Sequence, residues 1–287
     1  MKKVIVSIVI GVAIILVAIC ALRLALTPTP RVGFIFDDGW ESVYTYRSIF
    51  TSRGVPIGLA IVTGWLDTSD HLTTNQLLEL ARQYGWEIAN HTHTHTAFDD
   101  NNLTLDQIRD EIYTAHNDLL KLGIQPAPYF IQPKAQIGCA GAEAIVSELY
   151  PFAFNGMQYQ NSFILDSPAS ELPRFSIDNQ VSLVSIEIAI DNAIGNQTGI
   201  ILRGHQIISG NITNEPPPGS NPPQVSIGKI EDILDYCKAN NIPVGLPSKV
   251  IRESKYRQQV GTALISAASS FKFVNFKMIH YPARTRY

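Results

Sequence analysis

Short apolar segments alternate with amphipathic segments along most of this 287-residue chain, and that alternation restricts the folds it can adopt. The apolar segments have the length of buried strands, and the amphipathic ones have helical spacing. Strand-like segments cover residues 32–36, 56–62, 86–90, 128–131, 151–155, 198–205 and 242–246. Helical segments cover residues 73–85, 103–123, 141–150, 181–195 and 226–241. The pattern predicts a parallel α/β sheet or barrel, built by one domain over residues 32–250.

The N-terminal segment differs from the rest of the chain. After Lys2 and Lys3, residues 4–22 form an uncharged run of 19 residues. About 20 apolar residues cross a bilayer as a helix, whereas a cleaved signal peptide has a shorter apolar region. We therefore predict a transmembrane signal anchor over residues 1–26, followed by a Pro-rich linker over residues 27–31. The lysines place the N-terminus in the cytoplasm, so the domain lies outside the cell membrane, or is secreted if the segment is cleaved.

Composition narrows the class of protein further. A chain that is 45% hydrophobic and 16% charged can build a sizeable core. Its net charge of −3 gives no basic stripe of the kind that nucleic-acid-binding proteins carry, so we expect no nucleic-acid partner. Cys139 and Cys237 could pair in an exported domain, a pairing that depends on a proximity the sequence does not give. The C-terminal tail, residues 251–287, has no assigned role, and the oligomeric state stays open.

Three polar clusters follow predicted strands, at the end of a parallel sheet where reactive groups collect. The first cluster is FDDG (36–39), which contains Asp37 and Asp38. Adjacent carboxylates on an extended chain point in different directions, so one can bind a metal while the other acts as a base. Asp-Asp-Gly is also a common turn tripeptide, which is the simpler interpretation. The third cluster is His205. A single histidine at a strand end is more often structural than catalytic, so His205 is a candidate only together with the other two clusters.

The second cluster is NHTHTH (90–95), with three of the seven histidines of the chain. If the chain turns after Asn90, His91 and His95 approach each other as an i, i+4 pair, as in other two-histidine metal sites. One carboxylate and two neutral imidazoles would then leave an open metal site with room for water. A polar loop whose rings face solvent is the alternative.

FDDG, the H-x-x-x-H spacing about fifty residues later, and an apolar strand that ends in histidine together resemble the polysaccharide deacetylases, the NodB-homology carbohydrate esterases. The resemblance implies a distorted (β/α) barrel and a divalent metal, usually Zn²⁺. It implies that Asp37 is the catalytic base, that Asp38, His91 and His95 hold the metal, and that His205 is the general acid.

By the same resemblance, we expect an enzyme that removes acetyl groups from an N-acetylated or O-acetylated extracellular polysaccharide. The metal would polarise the acyl carbonyl and lower the pKa of water. Asp37 would take a proton as water attacks, and His205 would protonate the leaving group. His93 falls between the metal ligands, and we expect it to line the substrate groove.

Two features depart from the family pattern. The family's third motif carries an arginine that orients the base, whereas the matching stretch here, YFIQPKAQIG (129–138), keeps Pro133 without an arginine before it. Lys134 is one substitute cation. The absence motivates an alternative function, a carbohydrate-binding protein on the same fold without turnover. The fourth motif, which supports the late histidine, is also indistinct. Candidates for it are Asp166, Arg174 and Asp178.

Aromatic residues offer surfaces on which sugars stack, although they more often belong to a core. The candidates are Trp40, Trp65, Tyr129 and Tyr159.

Overall fold

The computed structural model describes residues 29–98, 103–135, 141–154, 156–157, 164, 166–210 and 223–256. The predicted signal anchor lies outside these residues, as do Cys139, Tyr159 and most of the predicted tail. Within the ranges that the structure describes, no helix is long and apolar enough to cross a membrane.

Eight strands form the main sheet, and each pairing between them is parallel. They are β1 (Val32–Phe36), β2 (Gly58–Ile61), β3 (Glu87–Asn90), β4 (Tyr129–Ile131), β5 (Phe152–Phe154), β6 (Gly156–Met157), β7 (Pro173–Ser176) and β8 (Ile200–Gly204). Their order is β5-β4-β3-β2-β1-β8-β7-β6. The two edge strands, β5 and β6, are neighbours in the chain, so the sheet curves into a nearly closed (β/α) barrel. The predicted fold class is confirmed.

Helices and a small second sheet surround the barrel. The helices are α1 (Glu41–Thr45), α2 (Ser48–Thr51), α3 (Thr74–Gln83), α4 (Leu105–Lys121), α5 (Ala142–Ser147), α6 (Leu183–Gly195), α7 (Ile227–Ala239) and α8 (residues 247–256). The second sheet pairs β9 (Gln206–Ile208) with β10 (Gln224–Ser226) in parallel. Thr73 and Thr104 each begin a helix with a capping box, which satisfies amide groups that the first helical turn leaves unpaired.

Alternation along the strands separates two apolar layers. On β1, Ile35 points into the barrel with Tyr129 and Ile201, whereas Phe34 and Phe36 pack outwards in the larger core cluster with the helices. Both faces are therefore buried, which explains why the strands read as continuous apolar runs. The carboxyl ends of β1, β3, β4, β7 and β8 meet at one end of the barrel, and polar residues follow them there.

The strand predictions differ from the structure in two ways: one predicted strand is absent, and four described strands, β6, β7, β9 and β10, were not predicted. Residues 242–246 form no strand, since pairing is reduced to a bridge from Val244 to Val32. Pro243 has no N–H to donate, and Pro247 begins α8, so the segment cannot extend a ladder. The strand β7 was missed because its PRFS sequence starts with proline and places an arginine on the barrel interior. In addition, α8 runs through residue 250, the predicted end of the domain.

Candidate active site

A cavity of about 470 Å³ opens at the carboxyl end of the barrel. It is lined by Asp37, Asp38, Trp40, Trp65, His71, His91, His95, Gln132, Lys134, Arg174, Arg203, His205 and Pro223. All five residues that the sequence singled out for catalysis or metal binding therefore surround one space. They come from three separate segments of the chain, which the parallel barrel brings together.

The turn after β1 directs its two carboxylates to different neighbours. Asp38 and Gly39 both adopt φ of 74°, a left-handed conformation that is uncommon for a residue other than glycine. The N–H of Asp37 donates to the carbonyl of Gly204 at 2.9 Å, which ties the turn to β8. The simple interpretation of FDDG as a turn and the functional one are thus both consistent with the structure, because the turn aims the Asp38 side chain.

The loop after β3 also turns sharply. Thr92 and His95 have φ of 68° and 63°, and the His91 and His95 rings come to within 4.8 Å of each other between centroids. Both rings face the same oxygen of Asp38. The Nε2 atom of His91 lies 3.5 Å from Asp38 Oδ1, and that of His95 lies 3.4 Å from it.

These three side chains fit a metal ion. Asp38 Oδ1 is buried and accepts no hydrogen bond from a described residue. His91 Nδ1 lies 2.7 Å from the carbonyl of Ile131, a partner that fixes the proton on Nδ1 and leaves the Nε2 lone pair available. Burial lowers the pKa of His95 to about 4, so its ring is neutral and can also ligate. The candidate ligand atoms all lie within 4.8 Å of one another.

Contacts from the neighbouring helix hold this loop in place. The Glu111 carboxylate on α4 accepts the N–H groups of His93 at 3.0 Å and Thr94 at 2.8 Å, and also the Thr94 hydroxyl. Asn90 accepts the N–H of Thr92 at 2.8 Å through its side-chain oxygen. Glu111 was not identified from the sequence, because a carboxylate on a helix that holds a distant loop gives no linear signature.

His93 turns away from the two candidate ligands. Its Nδ1 atom lies 3.0 Å from the Thr63 hydroxyl and 3.4 Å from an Asp118 oxygen, beside α4. His93 is not among the described residues that line the cavity. The prediction that it lines the substrate groove was wrong, and it instead ties the loop to its surroundings.

The arginine that the third motif lacks is supplied by another strand. Arg174, on β7, donates from Nη1 to Asp37 Oδ1 at 2.6 Å, and both side chains are buried. Burial alone would raise the pKa of Asp37, but the charge of Arg174 and the nearby His91 and His205 rings lower it below its ordinary value. The third motif does lack its arginine, but Arg174, named from the sequence only as a candidate for the fourth motif, pairs with the predicted base. Lys134 lines the cavity without contacting Asp37 in the way that Arg174 does.

His205 completes the opposite wall. Its Nδ1 atom lies 3.4 Å from Asp178 Oδ1, and its Nε2 atom lies 3.9 Å from Asp37 Oδ2. Burial lowers the pKa of His205, but Asp178 and Asp37 raise it, and the result lies above the ordinary value. The Ser176 hydroxyl donates to Asp178 Oδ2 at 2.7 Å and orients that carboxylate. Of the fourth-motif candidates, Asp178 supports the histidine, whereas Asp166 is exposed and does not line the cavity.

Aromatic side chains form one wall of the cavity. The ring of His71 stacks on Trp40 with 4.7 Å between centroids and lies 5.0 Å from Trp65. Trp40 also donates its indole N–H to Asp38 Oδ2 at 3.2 Å, which orients the candidate metal ligand. Tyr129 is completely buried inside the barrel, so it belongs to the core and offers no sugar-stacking surface.

Comparison with known proteins supports the family resemblance. The polysaccharide deacetylase family model matches residues 26–142. A mutant with restored enzymatic activity of a CE4 family pseudoenzyme from Bacillus anthracis is 14% identical, with a TM-score of 0.50 over 79% of this chain and 69% of that protein. The Bc1960 peptidoglycan N-acetylglucosamine deacetylase is 16% identical, with a TM-score of 0.50 over 78% of this chain and 89% of that one.

A search of curated proteins finds no match. At these identities, the solved structures establish the fold alone, and the family model supplies the sequence-level match. Together they confirm that the chain resembles the polysaccharide deacetylases, over residues 26–142 in sequence and across the described barrel in fold.

Proposed function

We propose that this protein is a metal-dependent hydrolase that removes acetyl groups from an extracellular polysaccharide. One observation carries the proposal: the candidate metal ligands Asp38, His91 and His95 share a cavity with the Asp37–Arg174 and His205–Asp178 pairs. Metal-assisted hydrolysis of an acyl group uses a Lewis acid, a base for water and an acid for the leaving group, and these residues can hold the metal and supply the base and the acid.

Asp38, His91 and His95 would hold the metal, and two imidazoles with one carboxylate suit Zn²⁺. When bound, such an ion supplies positive charge that polarises the acyl carbonyl and promotes ionisation of water. The Trp40 indole and the Ile131 carbonyl orient two of the ligands from outside the site. Partners of this kind strengthen metal binding by fixing ring and carboxylate positions.

Asp37 is the base in this proposal. Arg174 keeps its carboxylate ionised and leaves Oδ2 facing His205 and the cavity, since the ion pair uses Oδ1. From there Asp37 can accept the proton that water loses as it attacks the acyl carbon. The non-catalytic alternative rested on a missing arginine beside the base, and Arg174 removes that reason.

His205 is the acid. The Asp178 carboxylate holds a proton on Nδ1 and favours the imidazolium, so that Nε2 can donate a proton to the leaving group. An amide nitrogen needs this proton to leave as an amine, whereas an alkoxide leaves more easily. We therefore expect N-deacetylation to depend on His205 more strongly than O-deacetylation does.

The proposed location rests on the apolar run of residues 4–22. That run would anchor the protein to the cell membrane in a single pass, with the catalytic domain outside the cytoplasm. A wall or matrix polysaccharide would then be the substrate within reach.

Acetate release is the direct test. The full chain, supplied with Zn²⁺, would be assayed on chitin oligomers, peptidoglycan glycan fragments and acetylated xylan, beside Asp37→Asn. We expect release from at least one substrate, and a loss of about 10²-fold or more in the variant, the contribution typical of a general base. Equal release by the wild type and the variant would overturn the assignment of Asp37. Absence of release with stoichiometric zinc bound would overturn the proposed activity on these substrates.

A further inference from the structure

The wall of the cavity carries an excess of fixed positive charge. Asp37 and Asp38 contribute two carboxylates, whereas Lys134, Arg174 and Arg203 contribute three cations. A divalent ion held by Asp38 and the histidines would add to this excess. The chain as a whole has a net charge of −3, whereas the side chains that line this cavity include one more cation than carboxylates; a third carboxylate, that of Asp178, lies behind the lining. A positive cavity attracts negatively charged ligands.

Arg174 is occupied by Asp37, but Arg203 is only weakly paired. The closest carboxylate to Arg203 is that of Asp178, with 3.7 Å between Nη2 and Oδ2, and the same oxygen accepts the Ser176 hydroxyl at 2.7 Å. Arg203 Nε is buried and has no hydrogen-bond partner among the described residues. The Arg203 side chain is 18% exposed and lines the cavity, so a loosely paired guanidinium is open to a ligand there. A ligand anion would supply what the protein leaves incomplete.

The fold places Arg203 where it can meet a substrate. On β8, the neighbouring Leu202 packs in the outer core, whereas Ile201 points into the barrel. Alternation therefore puts Arg203 on the barrel interior. It is the second-last residue of β8 and lies two residues before His205. Its side chain lines the cavity beside the proposed reacting groups.

Lys134 contributes charge from a different segment. It follows β4, in the short turn Pro133–Ala135, and adopts φ of 56° there. Its side chain is exposed and lines the same cavity. A left-handed conformation is uncommon for a residue other than glycine, and here it occurs at a lysine that lines the cavity.

We infer that the cavity selects an acidic glycan, in which the sugar that loses its acetyl group, or the next sugar along, carries a carboxylate that Arg203 and Lys134 bind. This inference rests on the proposed function for the identity of the reaction. A guanidinium matches the two oxygens of a carboxylate geometrically. A carboxylate monoanion suits the site better than a phosphate dianion, because Asp37 and Asp38 line the same space.

The test uses substrates matched except in charge. A peptide-free peptidoglycan tetrasaccharide and chitotetraose share their acetamido groups and linkage, but only the former carries lactyl carboxylates. We expect the full chain to show a kcat/KM at least tenfold higher on the acidic substrate. Arg203→Gln and Lys134→Gln should each lower the ratio of acidic to neutral kcat/KM several-fold, mainly through KM, since these residues bind a group that does not react. A change at Arg203 could also disturb Asp178 and lower activity on both substrates. Such a loss would cancel in the ratio of acidic to neutral kcat/KM.

Lys238→Gln is the matched control, since Lys238 is an exposed lysine on α7 outside the cavity. It should leave the ratio unchanged. Lys134 is exposed, so its variant keeps the test informative even if Arg203→Gln fails to fold. Arg203→Lys keeps the positive charge but loses the planar guanidinium that binds a carboxylate through two hydrogen bonds. It should retain part of the preference for the acidic substrate. A wild-type ratio near one, or a ratio that neither variant changes, would overturn the inference.

Binding separates this inference from the proposed activity. Calorimetry would compare tetragalacturonate with its methyl ester on the zinc-loaded chain, where no acetyl group is present. Tighter binding of the acid by about tenfold, lost in the Arg203 and Lys134 variants, would support an acidic ligand even if no substrate released acetate. If the chain released acetate but bound the acid and the ester equally, the proposed deacetylase activity would stand and the inferred preference for acidic glycans would be overturned.

Discussion

The two halves of the candidate site are built in different ways. In the half that follows β1 and β3, Asp38, His91 and His95 gain their positions from local backbone turns. In the half that follows β7 and β8, Arg174 and His205 gain theirs from side chains that follow other strands, Asp37 after β1 and Asp178 after β7. In the proposed function, the first half (the metal half) would hold the ion, and the second (the proton-transfer half) would move protons.

This difference explains what each half requires of the sequence. The metal half needs left-handed conformations at residues other than glycine, which are strained and must be held by surrounding hydrogen bonds. Its residues lie close together in the chain and form recognisable strings. The proton-transfer half needs charges that compensate each other in a buried place, and such pairs can join residues far apart. Arg174 and Asp37 are separated by 137 positions.

The metal half can be broken most severely by His91→Ala. Removal of a buried ligand should lower zinc affinity by more than about a hundredfold, because even the loss of an outer-shell partner costs roughly 10–100-fold. Zinc affinity, measured by competition with a chromophoric chelator, should fall together with acetate release.

His93→Ala is its matched control from the same tract. His93 faces Thr63 and Asp118, so its removal should leave one zinc per chain and change affinity far less. Equal losses of zinc affinity in the two variants would contradict the division of the histidines that the structure makes.

The proton-transfer half can be broken by Arg174→Gln. The change leaves the buried Asp37 carboxylate without its cation, which should cost about 3–5 kcal/mol in the free energy of unfolding. It should also lower kcat about tenfold or more, since Asp37 loses its orientation. Urea denaturation and acetate release measure the two effects, and zinc stoichiometry should not change.

Arg109→Gln provides the comparison on the surface. Arg109 forms a two-pronged ion pair with Glu148, but both side chains are well exposed. Solvent screens such a pair, so stability should fall much less than in Arg174→Gln. If both variants lost stability equally, burial could not be the reason for the strength of the Arg174–Asp37 pair.

A pH profile sharpens the role assigned to Asp178. The pKa of His205 lies above its ordinary value, in part because of Asp178, and activity should decline as pH rises through it. Asp178→Asn removes that support and lowers the pKa of His205, so the alkaline limb of kcat/KM should move to lower pH. Asp235→Asn, a change at an exposed carboxylate on α7, should leave the limb in place. An unmoved limb in Asp178→Asn would exclude His205 as the group that this limb reports.

Much of the barrel was predictable because its strands are buried on both faces and its helices are capped. VGFIF coincides with β1, and Thr73 and Thr104 begin the helices expected of them. Prediction failed at β7, a four-residue strand in which Arg174 breaks the apolar run. Arg174 also takes the place of the arginine that the third motif lacks. A charged residue inside a short strand therefore made both the strand and the partner of Asp37 hard to predict. Its signal was weak but present, as PRFS places arginine and serine on one face and phenylalanine on the other.

The smallest effect tests whether the metal half depends on its outer support. Glu111 accepts two backbone N–H groups and a hydroxyl from the loop that carries His91 and His95. Glu111→Gln keeps the shape but replaces a charged acceptor with a neutral one, at a cost of roughly 1 kcal/mol. If this cost falls on the zinc-binding conformation, zinc affinity should decrease about fivefold. Asp110→Asn, at the adjacent exposed position on α4, should have no such effect. A stability loss in Glu111→Gln without any change in zinc affinity would mean that the turns at Thr92 and His95 hold the ligands by themselves.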